Sequence, residues 1–94
     1  YTYDDLGQYE RAIQDYDEAI RLDPQDAIAY FNRGYSYYGL GQYERAIQDL
    51  DEAIRLDPQD ADAYYMRGLA NEWLGNNSAA NRDFEKSSDL GFTP

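Results

Sequence analysis

The chain has 94 residues, no cysteine and no histidine, and a formal net charge of −11 from 19 acidic and 8 basic side chains. This charge argues against nucleic acid and anionic membrane surfaces as partners, and the missing residue types exclude disulfides, thiol chemistry and the usual general base. With 43% apolar residues, the composition fits one small helical domain.

One segment of the sequence occurs twice. The residues LGQYERAIQDYDEAIRLDPQDA at 6–27 return at 40–61 with a single change, Tyr16 to Leu50, so the two copies are 34 positions apart. A third, degenerate copy follows in the same register from Leu74 onward. A period of this length in helical sequence predicts stacked helical units, each of which buries its apolar face against its neighbours.

The first unit, residues 1–26, is expected to be a truncated repeat. Carried backwards, the register places Tyr1 and Tyr3 where Tyr35 and Tyr37 stand in the second copy, so the chain should begin inside the first helix of a repeat. We therefore expect an apolar edge on the second helix of this unit to be uncovered and open to self-association. That edge consists of Tyr9, Ala12, Tyr16 and Ala19.

The second unit, residues 27–60, predicts a complete helical hairpin. Asp26 is placed to cap a helix that ends around Leu40, where two glycines bracket the end. The next helix runs from about Gln42 until Pro58 stops it, because proline has no amide hydrogen to donate and restricts the residue before it. The pattern is therefore helix, tight turn, helix, tight turn.

The third unit, residues 61–94, begins with Asp60 as the expected cap of its first helix. In its second helix, polar residues replace the apolar stripe of the second copy at three positions, Asn77, Asn81 and Ser88. A terminal repeat needs a polar outer face, so residues 77–90 predict the C-terminal end of the array, with Gly91 as a C-cap and Phe92 folding back. Ordinary repeat decay is the alternative.

On these residues the chain resembles the tetratricopeptide repeat family, whose unit is a helical hairpin. The second copy carries the family pattern at Tyr30, Gly34, Tyr37, Ala46, Leu50, Ala53 and Pro58. The third copy keeps Tyr64, Gly68, Ala80 and Phe84 but departs from the pattern at Asn71, Ser87 and Phe92. The resemblance implies an all-α helix-turn-helix solenoid of about two and two-thirds repeats. It also implies a protein interaction module, without identifying the partner.

In proteins similar to this one, the first helix of each repeat lines a concave surface. The corresponding positions of this chain predict an acidic, aromatic groove that binds a peptide segment of a partner. For any one aromatic residue, the alternative is that it fills space between helices. The predicted groove residues are Ile28, Phe31, Asn32, Tyr35, Tyr38, Asp62, Tyr65, Leu69, Glu72 and Trp73, with Tyr1, Asp4 and Asp5 as the first-copy equivalents.

Some members of the family hold the C-terminal carboxylate of a chaperone peptide with a lysine and arginine clamp assisted by asparagines. Asn32 stands at one clamp position, but Asp62 and Met66 occupy the places of the lysine and the arginine. An acidic groove repels a carboxylate terminus, so we expect a protein or peptide partner that is basic or apolar.

The sequence does not indicate an enzyme. Asp15 with Asp17, and Asp49 with Asp51, are paired carboxylates, but a spacing of two points them to different helix faces and their repetition marks them as solvated surface. Calcium-loop, phosphate-loop and nucleophile-elbow motifs are missing, so we expect no cofactor and no metal. Two alternatives to a peptide-binding module remain open: a self-assembly scaffold, and an accessory domain of a larger protein.

Overall fold

The computed structural model describes residues 3–93 of the chain, with side chains from residue 6 onward. Within that range each helix packs on the next and no strand occurs, so the predicted all-α helical array is confirmed. No helix among these residues is long and apolar enough to cross a membrane. The helices are α1 (Tyr3–Leu22), α2 (Ala27–Gly39), α3 (Tyr43–Leu56), α4 (Ala61–Trp73) and α5 (Asn77–Asp89).

The boundaries of α2 and α4 follow from local sequence. The Asp26 carboxylate accepts hydrogen bonds from the amides of Ile28 and Ala29 at 3.1 and 3.2 Å, and Asp60 accepts one from Ala63 at 3.2 Å. Each carboxylate therefore satisfies amide groups that have no partner within the helix. Both predicted N-caps are confirmed.

Glycines with positive φ follow the ends of α2, α4 and α5. Gly41, Gly75 and Gly91 have φ angles of 75°, 82° and 96°, in the left-handed region that glycine adopts without steric cost. After Gly91 the amide of Phe92 donates to the carbonyl of Ser87 at 3.0 Å, which closes the last turn of α5. The predicted C-cap at Gly91 is confirmed.

Small residues let α2 and α3 approach closely. A Cβ added at Gly34 would lie 3.1 Å from the Leu50 Cγ, and Ala46, Leu50 and Ala53 are fully buried. Leu50 also contacts Ala63 at the start of α4, so it lies at the centre of the core. The small side chains thus set the distance between the two helices of the hairpin.

The same tripeptide has two conformations in this chain. Leu-Gly-Gln forms the turn between α2 and α3 at residues 40–42 but lies within the continuous helix α1 at residues 6–8. Around residues 40–42, α2 and α3 pack against each other as a hairpin, whereas residues 3–22 form one helix. The same tripeptide sequence therefore permits both forms.

An arginine on each of α2 and α4 joins three helices. Arg33 donates two hydrogen bonds to Asp49 on α3, at 2.8 and 2.7 Å, and a third to Asp17 on α1 at 2.9 Å. The hydrogen bond to Asp49 raises the pKa of Arg33 above its ordinary value, so the guanidinium stays charged. We call this arrangement of one arginine and two aspartates the clasp.

A second clasp stands 34 residues later. Arg67 donates to Asp83 on α5 at 3.0 and 2.7 Å and to Asp51 on α3 at 2.9 Å, and the hydrogen bond to Asp83 likewise raises the pKa of Arg67. Asp49 and Asp83 are only 6% and 5% exposed. The prediction that Asp49 is solvated surface was therefore wrong, because an arginine from another helix compensates its charge in the interior.

The two conformations of Leu-Gly-Gln give a matched test of backbone strain. We expect Gly7→Ala to stabilise the fold by about 0.5 to 1 kcal/mol, because alanine favours helix and its Cβ meets no described atom within 4 Å. Gly41→Ala should destabilise it by about 1 kcal/mol, because alanine is strained at positive φ. Urea unfolding followed by circular dichroism measures both, and equal effects would contradict the helical assignment of residues 6–8.

The clasp gives a second matched pair, because Asp15 occupies the repeat position of Asp49 but is exposed and forms no ion pair among the described residues. Asp49→Asn should lower the free energy of unfolding by about 2 to 3 kcal/mol, since it removes the charge that compensates a half-buried guanidinium. Asp15→Asn should change it by less than about 0.5 kcal/mol. Similar values for the two variants in chemical denaturation would count against the clasp.

Candidate functional site

The exposed faces of α2 and α4 carry large apolar side chains. Ile28, Tyr35 and Trp73 are 71%, 50% and 66% exposed, whereas the rest of both helices is mostly buried or half-buried. Large exposed apolar side chains are candidates for an interaction surface. We call the surface formed by Ile28, Tyr35, Asp62, Glu72 and Trp73 the groove face.

The orientation of Trp73 is fixed although two-thirds of it is exposed. Its indole Nε1 donates a hydrogen bond to the hydroxyl of Tyr38 at 3.0 Å, across the gap between α4 and α2. Its ring stacks on Tyr43 with centroids 5.6 Å apart and an interplanar angle of 3°, and Tyr43 meets Tyr38 edge-on at 5.4 Å. An aromatic side chain held in this way loses little conformational entropy on binding a ligand.

Tyr43 was not among the residues predicted for the groove. Sequence position places it on α3, the second helix of its repeat, whereas the prediction took residues from first helices only. Its proximity to Trp73 depends on the packing of α4 against α3, which the helical periodicity of either segment does not reveal. The only sequence signal is its aromatic character at the start of an amphipathic helix.

Several predicted groove residues also belong to the core. Phe31, Tyr38 and Leu69 pack against the buried cluster formed by Leu50, Ala63 and Met66. The alternative that an aromatic residue fills space between helices therefore applies to Phe31 and Tyr38. Asn32 is half-buried, and its carbonyl accepts a hydrogen bond from the Ser36 hydroxyl at 3.1 Å.

The charges available on the groove face are acidic. Together α2 and α4 contain two cations, Arg33 and Arg67, and both are held in clasps. Asp62 and Glu72 are exposed on α4, whereas Met66 is only 9% exposed and lies in the core. None of the described side chains on these two helices is a cation free to bind a carboxylate.

Three predicted groove residues line a cavity at the C-terminal end of the array. Tyr65, Leu69 and Glu72 line a cavity of about 360 Å³ together with α5 side chains and Phe92. The Tyr65 ring lies 4.4 Å from the Phe92 ring and 5.4 Å from the Phe84 ring, centroid to centroid. Phe92 thus turns back over the end of the array, as the sequence predicted.

The predicted N-terminal edge is less buried than its counterpart in the second copy. Ala12, Tyr16 and Ala19 are half-buried, whereas the equivalent Ala46, Leu50 and Ala53 are fully buried. Tyr9 is also half-buried, and its ring lies against α2, where a Cβ at Gly39 would collide with it. A role of this edge in self-association stays a prediction.

Tyr1 lies outside the described residues, and so do the side chains of Asp4 and Asp5. Across the described part of the chain, no group of three or more acidic side chains could hold a metal ion.

The family model described as tetratricopeptide repeat matches residues 1–61 and again residues 31–87. No curated protein sequence matches the chain.

Solved structures with a similar fold include domains that bind peptides. The second tetratricopeptide domain of Spaghetti (RPAP3), bound to the HSP90 peptide SRMEEVD, is 38% identical with a TM-score of 0.87, over 89% of this chain and 78% of that one. The second such domain of human RPAP3, in complex with the HSP70 peptide SGPTIEEVD, is 38% identical with a TM-score of 0.86, over 90% and 71%. The Arabidopsis OM64 domain is 33% identical with a TM-score of 0.88, over 90% and 70%.

Tyr35 and Tyr38 are both predicted groove residues, but the structure predicts that their substitution has different effects on stability. Tyr38→Ala should lower the free energy of unfolding by about 2 to 3 kcal/mol, because the Tyr38 ring packs against the core. Tyr35→Ala should lower it by less than about 1 kcal/mol, because half of that side chain is already exposed. Denaturant unfolding of both variants, with Tyr38→Phe as a control that keeps the ring, checks this, and equal losses would contradict the assignment.

Proposed function

Because this chain belongs to the tetratricopeptide repeat family, we propose that it is a protein interaction module whose groove face binds a peptide segment of a partner protein. The observation that carries the proposal is the combination of Ile28, Tyr35 and Trp73, which are exposed apolar side chains on adjacent helices. Large aromatic side chains in fixed orientations are the usual centres of binding energy at protein interfaces. The role requires no chemical step.

The proposed peptide is apolar or basic rather than acidic. The similar structures named above contain SRMEEVD and SGPTIEEVD, which have several carboxylates. On the groove face of this chain the free charges are Asp62 and Glu72, and both arginines of α2 and α4 are closed on aspartates. A peptide with lysine or arginine beside its apolar residues would complement these charges, whereas a carboxylate terminus would be repelled.

Self-association is the second candidate function. It is favoured by the half-buried state of Ala12, Tyr16 and Ala19, whose equivalents in the second copy are fully buried. The two roles use different surfaces, since the N-terminal edge lies on α1 and the groove face on α2 and α4. A change on one surface should therefore leave the other role intact.

Trp73 provides the measurement, because it is the only tryptophan in the sequence and lies on the groove face. Three peptides are titrated: an apolar core flanked by lysines, the same core flanked by glutamates, and SRMEEVD. We expect the lysine peptide alone to change the Trp73 fluorescence saturably, with affinity that falls as salt is raised.

Substitutions then locate the binding site. The double variant Ile28→Ala, Tyr35→Ala should weaken binding of the lysine peptide by about tenfold, because it removes two of the three apolar anchors. Arg82→Gln, on the exposed surface of α5, is the control and should leave the affinity unchanged. Tighter binding of SRMEEVD than of the lysine peptide would overturn the proposed charge preference, and binding by neither would overturn the groove.

A further inference from the structure

One face of the Trp73 indole is open to solvent. The other face stacks on Tyr43 with an angle of 3° between the ring planes, and the indole N–H is bonded to the Tyr38 hydroxyl. Since Trp73 is nevertheless 66% exposed, its exposed surface includes the ring face opposite Tyr43. Tyr38 and Tyr43 lie on α2 and α3, so the ring is held in place by helices that precede α4 in the array.

Arginine side chains already cover aromatic rings elsewhere in this chain. Three guanidinium groups lie 5.4 to 5.7 Å from the centroid of a tyrosine ring, in the pairs Arg33–Tyr30, Arg45–Tyr37 and Arg67–Tyr64. These distances are within the range of a cation–π contact. Among residues 6–93 no cation lies over the Trp73 ring, although an indole attracts a cation more strongly than a phenol does.

We propose that the open face of Trp73 binds an arginine side chain of the partner peptide and prefers it to lysine. This inference rests on the proposed function, since it concerns one position of a peptide bound to the groove face. The guanidinium lies flat on the indole. The exposed charges of α2 and α4 are Asp62 and Glu72, and they favour a cation over an anion on this surface.

The preference follows from the shape and hydration of the two cations. A guanidinium is planar and weakly hydrated, so it stacks on a ring while the N–H groups in its plane stay bonded to water or to carboxylates. An ammonium is compact and strongly hydrated, and it must lose water to approach the ring as closely. Because Tyr38 and Tyr43 already hold the indole, little side-chain entropy of Trp73 is lost when the guanidinium stacks.

The test compares three peptides with one apolar core, flanked by arginines, by lysines or by citrullines. Citrulline has the planar shape of arginine without its charge. Each peptide carries the same fluorescent label, and binding is measured by anisotropy, so the readout does not depend on Trp73. We expect the arginine peptide to bind roughly threefold more tightly than the lysine peptide, and the citrulline peptide to bind more weakly than either.

Variants of the chain assign the preference to one ring. Trp73→Leu should make the arginine and lysine peptides bind equally, because it removes the indole but keeps an apolar side chain. Tyr35→Leu is the matched control, since Tyr35 is another exposed aromatic residue of the groove face. It should weaken both peptides and leave the ratio of their affinities unchanged. Circular dichroism checks that both variants are folded.

A spectroscopic signature locates the stacked group directly. In the complex with the unsubstituted chain, the δ-methylene protons of one peptide arginine should shift upfield in the proton NMR spectrum, because they lie over the ring current of Trp73. In Trp73→Leu this shift should disappear.

Four results would overturn the proposal. Equal affinities of the arginine and lysine peptides for the unsubstituted chain would leave the groove in place but remove the preference. A citrulline peptide that binds as tightly as the arginine peptide would show that a flat group, and not a cation, is recognised. A preference that persists in Trp73→Leu would place the arginine elsewhere. Binding by none of the peptides would overturn the groove itself, and this inference with it.

Discussion

A guanidinium group held by carboxylates from two other helices determines how this array is assembled. Arg33 lies 16 residues after Asp17 and 16 before Asp49, and it contacts both at hydrogen-bonding distance. The guanidinium is planar and its donors form a rigid fork. The contact therefore restricts both the position of each helix along its axis and its rotation about that axis. The opposite side of α2, with Ile28 and Tyr35, is thereby turned outward. The clasp at Arg67 does the same for Trp73 on α4.

The clasp also determines which charged side chains of α2 and α4 stay exposed. Both arginines of the first helices are used inside the structure, so the groove face retains Asp62 and Glu72 as its free charges. The two ion pairs of a clasp differ in strength. Asp49 is buried, whereas Asp17 is exposed and its charge is screened by solvent. The ion pair with Asp49 joins the two helices of the hairpin, and the ion pair with Asp17 joins α2 to the preceding helix α1. The acidic character of the exposed charges on α2 and α4 is therefore linked to how the core charges are compensated.

Local sequence was sufficient for the caps of α2 and α4 and for the end of α5. It was not sufficient for residues 3–22, which form one continuous helix instead of the end of a first helix followed by a second one. Caps such as Asp26 and glycine turns such as Gly91 depend on neighbouring residues, and they were predicted correctly from the sequence. Burial of Asp49 was missed because its partner Arg33 comes from another helix, and spacing within α3 gives no sign of it. The stacking of Tyr43 on Trp73 was missed for the same reason. Assignment of a residue to the groove or to the core, as for Phe31, likewise depends on contacts between helices.

The repeats differ mainly at positions outside the clasp. Their helices therefore pack in the same order, although their exposed surfaces differ. At one interface Gly39 leaves room for the Tyr9 ring, which lies against the backbone of α2. At the next, Trp73 occupies the equivalent position, stacks on Tyr43 and extends into solvent. The clasp residues are the same at both interfaces, so the exchange of glycine for tryptophan changes the exposed surface without changing the order in which the helices pack. An aromatic anchor can be added in this way because the free energy that holds the helices together comes from other residues, namely the clasp and the core around Leu50.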